Sequence, residues 1–126
     1  MPRLAKGGKW IYGWVVVGPE GEMTIPPQAW REYGFRIGDE VLFLRGSRRS
    51  GGFGVSSLRH LAVPVGSRVL GKGQIIEARQ VVVPPGSGAR PGDRLLAVRG
   101  SRHALGFVAR GPIYEASLEH PDLEIF

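Results

Sequence analysis

The sequence of 126 residues contains no cysteine and only three histidines, at His60, His103 and His120. The absence of cysteine excludes disulfide bonds, thiol catalysis and cysteine-based zinc sites, and three scattered histidines are poor material for a metal centre. No apolar run approaches the roughly 20 residues that a membrane-spanning helix needs. The basic residues at the start are not followed by the apolar stretch of a secretory signal. We therefore expect one cytoplasmic domain, residues 1–126, without a cofactor, a metal or a membrane contact.

The sequence also lacks the patterns that would indicate an enzyme. No nucleophile elbow is present, and no pair of carboxylates has a spacing that suits general acid and base catalysis. The glycine-rich run at 50–54 lacks the lysine and the following helix of a phosphate-binding loop. A hairpin turn explains that run better, and we predict that the protein is not an enzyme.

Positive charge is plentiful and unevenly distributed. The chain has 17 Lys and Arg against 11 Asp and Glu, a net charge of +6. The stretch 111–126 holds four carboxylates and no basic residue, so the stretch 1–110 carries a net charge of +10. A region with this much positive charge attracts polyanions, and nucleic acid is the commonest partner of such a positive electrostatic field. A charged surface that only maintains solubility is the alternative explanation.

Two parts of the chain resemble each other. Residues 10–27 align with residues 68–85 at an offset of 58, and residues 37–55 align with residues 91–109 at an offset of 54. The two offsets differ by a deletion of four residues in the second copy, between the two blocks. A unit this small cannot cover its own apolar face, so we expect the two copies to share one core.

Each copy contains short runs of β-branched and large apolar residues bounded by glycine, proline or charge, a pattern typical of strands. In the first copy, residues 27–33 begin with a proline that tolerates a first helical turn and end before Gly34, which can adopt the left-handed cap. This segment is predicted to be a helix of about two turns. The second copy has Gly86-Ser87-Gly88 in its place, and glycine is costly in a helix, so only a loop is expected there. A further short helix is predicted at 112–118, leading into the acidic end.

Three features follow one another in the first copy: an apolar strand at 21–26 that ends in proline, the short helix with Arg31, and Gly38-Asp39 before the next apolar strand. In this combination the first copy resembles the AbrB/SpoVT family of bacterial DNA-binding regulators. The second copy keeps the strand with its proline and the Pro-Gly-Asp turn at 91–93. Members of the family dimerise by swapping hairpins, and a tandem copy in one chain resembles a fused dimer.

The resemblance implies a mostly β fold, namely a pseudo-twofold swapped-hairpin β-barrel of the double-psi kind. It would contain two AbrB-like repeats, with one short helix in the first repeat. The expected organisation is a first repeat at 10–57, a connector at 58–67, a second repeat at 68–110 and an acidic tail at 111–126.

The resemblance also implies a DNA-binding transcriptional regulator whose partner is double-stranded DNA. The family holds DNA with basic residues on the short helix and on the loop before the apolar strand; Arg31 matches the helix position and Arg79 lies near the loop position of the second copy. Further basic candidates for phosphate contacts lie on the N-terminal arm and at the hairpin tips: Arg3, Lys6, Lys9, Arg45, Arg48, Arg49, Arg99 and Arg102.

A protein-binding module with weak or no DNA binding is the alternative hypothesis. Glu22 and Gln80 stand where the family has arginine, and a carboxylate repels phosphates. The acidic tail is similar to the flexible acidic segment with which MazE-like antitoxins of this family occupy a basic toxin. A barrel that only forms homo-oligomers is a further form of this alternative.

Overall fold

The computed structural model describes residues 11–59, 68–100 and 104–126, and the protein is mostly β. The strands in these residues are β1 (Ile11–Val16), β2 (Glu22–Thr24), β3 (Glu40–Arg45), β4 (Phe53–Ser57), β5 (Val69–Gln74), β6 (Gln80–Val82), β7 (Arg94–Arg99) and β8 (Leu105–Val108). The α-helices in these residues are α1 (Pro27–Tyr33) and α2 (Pro112–Ser117).

The strands form two antiparallel sheets. Six strands pair in the order β1-β7-β8-β4-β3-β5, and β2 pairs with β6 in a small second sheet. The expected closed barrel is not what these strand pairs form, because β1 and β5 are the two outer strands of an open sheet. The last residues of the chain pair with the outer edge of β1. The Trp14 N–H donates to the Glu124 carbonyl over 2.8 Å, and the Phe126 N–H donates to the Trp14 carbonyl over 2.8 Å.

The hydrogen-bonded registers follow the two sequence offsets. Strand β1 of the first copy pairs with β7 of the second copy, and Trp14 faces Leu96. Strand β5 pairs with β3, and Lys72 faces Leu42. Trp14 and Lys72 align with each other at the offset of 58, and Leu42 and Leu96 align at the offset of 54, so the two pairings correspond position by position. One strand of each hairpin therefore pairs with the first strand of the other copy: β7 pairs with β1, and β3 pairs with β5.

Two further contacts join residues that align with each other. Met23 on β2 faces Val81 on β6 directly, at the offset of 58. Phe53 on β4 faces Phe107 on β8 directly, at the offset of 54. Both pairs are buried. In each pair, the antiparallel strands of the two copies therefore place equivalent positions of the alignment directly opposite each other.

Helix α1 has the bounds that the sequence predicts. It begins at Pro27, and Gly34 closes it in the left-handed conformation with φ 67°. The aligned part of the second stretch forms a single 3-10 turn, Pro85–Ser87, followed by Gly88 at φ 80°. Glycine reaches positive φ without a Cβ clash, which explains why both segments end at glycine.

The main core lies between the two sheets. It takes side chains from both, among them Met23, Val81 and the phenylalanine pair Phe53 and Phe107, whose rings lie 5.6 Å apart. Each large apolar side chain of this kind contributes about 1.5–3 kcal/mol when it leaves water. Both aligned stretches therefore depend on the same interior for their stability.

A second, smaller core lies on the outer face of β1, β7 and β8, where the acidic tail (residues 111–126) packs. Leu123 is 6% exposed there, and the ring of Tyr114 meets the ring of Trp14 edge to face at 5.2 Å. The Arg94 guanidinium lies 4.8 Å from the Trp14 ring centroid. The tail is thus folded onto the sheet, unlike the flexible segment to which its sequence is similar.

Candidate nucleic-acid interface

The turn between β3 and β4 is held in shape by its own backbone and hydroxyl groups. The Gly51 N–H donates to the Ser47 carbonyl over 2.9 Å, and the Ser50 N–H donates to Ser47 Oγ over 3.1 Å. Gly51 and Gly52 have φ 61° and 64°, values that residues with a Cβ atom rarely adopt. The turn therefore presents Arg48 and Arg49 from a defined loop.

The chain after β8 is fastened to this turn. The N–H groups of Ala109 and Arg110 both donate to the Ser50 carbonyl, over 2.9 and 3.0 Å. The Arg110 guanidinium donates from Nη2 to the Arg48 carbonyl over 2.8 Å. These bonds place a further arginine beside those of the β3–β4 turn.

A groove of about 740 Å³ runs along this end of the molecule. We call it the arginine groove, with a rim of Arg45, Arg49, Arg68 and Arg110. Its lining includes Gly54 and Gly106, which face each other in the pairing of β4 with β8. Side chains alternate between the two faces along a strand. Because the neighbours Phe53 and Phe107 point into the core, these glycines face outward. The outer face of the sheet therefore has a trough at this point.

The charge of the groove has one sign. Its described lining contains the four rim arginines and no aspartate or glutamate. Within the part of the chain that the structure describes, Arg45, Arg49 and Arg68 form no ion pair. Four guanidinium groups without a neutralising carboxylate produce a strong local attraction for anions.

The predicted basic residues fall into different environments. Arg45 and Arg49 line the groove, and Arg48 lies beside it. Arg31 is exposed in the last turn of α1, and Arg79 is exposed in the turn before β6, with φ 57°. Neither lines the groove. The predictions for Arg3, Lys6, Lys9 and Arg102 lie outside the described residues.

Arg99 has an internal partner. Its Nη2 donates to Glu32 Oε2 over 2.7 Å, and the Tyr12 hydroxyl donates to the same oxygen. Burial opposes ionisation of Glu32, but hydrogen bonds from Tyr12, Arg99 and Gln28 outweigh burial and lower the pKa of this carboxyl. Burial, and then the bond to Glu32, raises the pKa of Tyr12. This cluster fastens α1 to β1 and β7. Arg99 is therefore already paired with a carboxylate of the protein.

Glu22, at the family's arginine position, has a local structural role. Its Oε1 accepts a hydrogen bond of 2.9 Å from the Glu20 N–H. The carboxylate also lies over Gly18, where a Cβ would come within 2.3 Å of it. The carboxylate therefore supports the turn between β1 and β2.

Sequence reasoning missed two of the four rim arginines. Arg68 is the first residue of the predicted second repeat, directly before β5, and Arg110 follows β8, so neither belongs to a predicted hairpin tip. Arg68 has no basic counterpart in the alignment, since it aligns with Trp10. Only the excess of arginine before the acidic tail could have drawn attention to these two positions.

Comparison with protein-family models, with curated proteins and with solved structures finds no match for this chain. Among residues 11–59, 68–100 and 104–126, no three histidine or acidic side chains lie close enough together to hold a metal ion. No helix in that part of the chain is long and apolar enough to cross a membrane.

Proposed function

We propose that the chain is a DNA-binding transcriptional regulator of the AbrB/SpoVT type, with two repeats in a swapped-hairpin arrangement. The fold part of the proposal is supported by the registers of β1 with β7 and of β5 with β3, which place the first strand of each aligned stretch against the hairpin of the other. In the family that arrangement joins two chains, and here a connector would join two repeats.

The DNA part of the proposal depends on one observation, the gathering of Arg45, Arg49, Arg68 and Arg110 around a groove whose described lining has no carboxylate. Guanidinium groups bind phosphate oxygens through a planar fork, and phosphate contacts supply most of the affinity for DNA. This interface lies at the β3–β4 turn, away from the helix and loop positions that the resemblance suggests. Contacts of this kind position the protein on the duplex, whereas base edges would specify the sequence.

A titration of fluorescently labelled duplex DNA at several salt concentrations tests the proposal. Phosphate binding predicts a linear fall of log affinity with log salt, with a slope of about −0.9 for each phosphate neutralised. Replacing Arg45, Arg49 and Arg68 together by glutamine should make that slope shallower by about 2 to 3.

Arg90→Gln serves as the matched control, because Arg90 is exposed and does not line the groove. It should leave both affinity and slope close to those of the parent. Absence of binding at low salt would exclude the DNA proposal, and an equal loss in the control and in the triple variant would remove the groove from it.

A basic protein partner is the second candidate, favoured by the exposed carboxylates of the acidic tail, which are Glu115, Glu119, Asp122 and Glu124. Deleting the tail would also remove buried Leu123, so replacing the four carboxylates by their amides is the sharper test. Loss of a co-purifying basic protein with unchanged DNA affinity would support this role, and the absence of any such protein would exclude it.

A further inference from the structure

The floor of the arginine groove has features that phosphate contacts along a duplex do not require. Gly54 and Gly106 face each other across two paired strands and line the groove, so neither of these positions adds a side chain to the trough. Leu44, Val98 and Ile113 add apolar walls. Contacts to a DNA backbone come from protruding polar and charged groups and need no apolar cavity.

Close packing of neighbouring side chains requires glycine at both positions of this floor. A Cβ on Gly106 would lie 2.9 Å from Val98 Cγ2, and a Cβ on Gly54 would lie 3.3 Å from the Ala104 Cβ. Both distances are shorter than an ordinary contact between carbon atoms, which is about 3.5–4.0 Å. A larger residue at either position would shift its neighbours and fill the trough.

We propose that the arginine groove is a binding site for a small organic anion that carries an apolar body. The rim arginines would hold a carboxylate, sulfonate or phosphate group, and the trough would cover an aromatic or aliphatic portion. The groove volume of about 740 Å³ lies within the range of roughly 300–1,000 Å³ typical of small-molecule sites, which combine apolar walls with a few convergent polar groups. This inference does not depend on DNA binding.

Three probes separate the contribution of the anionic group from the contribution of the apolar body. Anilinonaphthalene sulfonate has an aromatic body and an anionic group, N-phenylnaphthylamine has nearly the same body without the charge, and inorganic phosphate has the charge without the body. The folded full-length chain should bind the sulfonate saturably at one site. It should bind the neutral amine at least about tenfold more weakly, as expected for the loss of a charge-assisted contact. Phosphate should compete only at much higher concentration.

Variants assign the binding to the groove. Arg45→Gln and Arg68→Gln should each weaken sulfonate binding by about tenfold, and Arg90→Gln should not change it. Gly54→Val should weaken binding of the sulfonate by filling the trough. If Gly54→Val fails to fold, the two arginine variants still decide, since both residues are exposed. Backbone amide shifts in the NMR spectrum should change most at 44–54 and 98–113.

Equal binding of the charged and neutral probes would overturn the inference, as would amide shifts centred on α1 or β6. Non-saturable binding of the sulfonate would also overturn it. A duplex DNA titration on the same samples keeps the two proposals separate. Probe binding without DNA binding would reject the DNA function alone, and DNA binding without probe binding would reject the organic-anion site alone.

Discussion

Arg99 donates a hydrogen bond of 2.7 Å to the Glu32 carboxylate and so connects the end of β7 to helix α1. Arg45 aligns with Arg99 at the offset of 54 but forms no ion pair within the described residues. The second stretch has only the 3-10 turn Pro85–Ser87 where the first has α1, so it supplies no counterpart of Glu32. Because the second copy has no such helix, Arg45 lacks the carboxylate partner that Arg99 has and remains available to a ligand.

Replacing the two aligned arginines tests this difference. Arg99→Gln should lower the free energy of unfolding by about 0.5–1 kcal/mol, a small value because half-exposed ion pairs are screened by water. Arg45→Gln should change it by less than about 0.5 kcal/mol, as is usual for surface positions. Urea denaturation of both variants gives the comparison, and equal losses would contradict the assignment of Arg99 as a structural residue.

Stability should fall in acid because two carboxyl groups have lowered pKa values in the folded protein. For Asp39 the first cause is the hydrogen bonding from Arg59, and for Glu32 the bonds from Tyr12 and Arg99 outweigh the opposing effect of burial. A lowered pKa in the folded state stabilises it above the unfolded pKa of about 4, and this contribution is lost as the pH falls further.

Unfolding measured from pH 7 to pH 2 should therefore show a decline that begins near pH 5. Glu32→Gln should be less stable than the parent at neutral pH, and the gap should narrow as acid protonates the parent carboxyl. A gap that stays constant down to the lowest pH would show that Glu32 does not contribute in this way.

The packing of the acidic tail can be tested with two neighbouring apolar residues. Leu123 is 6% exposed and Ile125 is 58% exposed. Leu123→Ala should cost about 2–4 kcal/mol through lost burial and a residual cavity. Ile125→Ala should cost less than about 0.5 kcal/mol. Similar small losses in thermal and urea unfolding would mean that the tail is not packed in solution.

Gly13 is required by the same packing. A Cβ at this position would lie 2.6 Å from the Glu124 carbonyl oxygen and 2.7 Å from the Phe126 ring. Gly13→Ala should therefore destabilise the chain by about 2 kcal/mol or more. In a chain that ends after Leu123, which keeps this buried side chain, the clashing atoms of Glu124 and Phe126 are absent, so the same substitution should cost less. An unchanged cost in the shortened chain would attribute the effect to the backbone at φ 148° alone.

The direct contact of Met23 with Val81 can be tested by exchanging the two residues. Met23→Val leaves a cavity and Val81→Met overfills the core, but the double exchange conserves the total volume. The double variant should be more stable than the sum of the single losses predicts, with a coupling of about 0.5–3 kcal/mol. Val81→Met combined with Leu123→Ala, which lies in the other core cluster, should be additive. If the stability losses are additive in both double variants, the result would contradict the observed pairing of Met23 with Val81.

Local features of the fold were predictable because neighbouring residues determine them. The proline and glycine that bound α1 predicted its ends, and Gly38-Asp39 and Gly92-Asp93 both lie in turns. In those turns Asp39 and Asp93 each accept a backbone N–H from three residues earlier, over 2.9 Å, and Gly38 and Gly92 have φ 89° and 91°. Such interactions span only a few residues, so the local sequence contains all the groups that make them.

Local residue patterns were enough to predict short strands, the helix α1, the turns, the two offsets of the internal alignment and the excess of arginine. Only the folded chain shows which strands pair and that the acidic tail covers β1. It also shows that Arg68 and Arg110 join Arg45 and Arg49 at one groove, while Arg99 pairs with Glu32. These outcomes depend on contacts between residues that are far apart in the chain. Their energies come from burial and charge pairing, which no local pattern of residues reports.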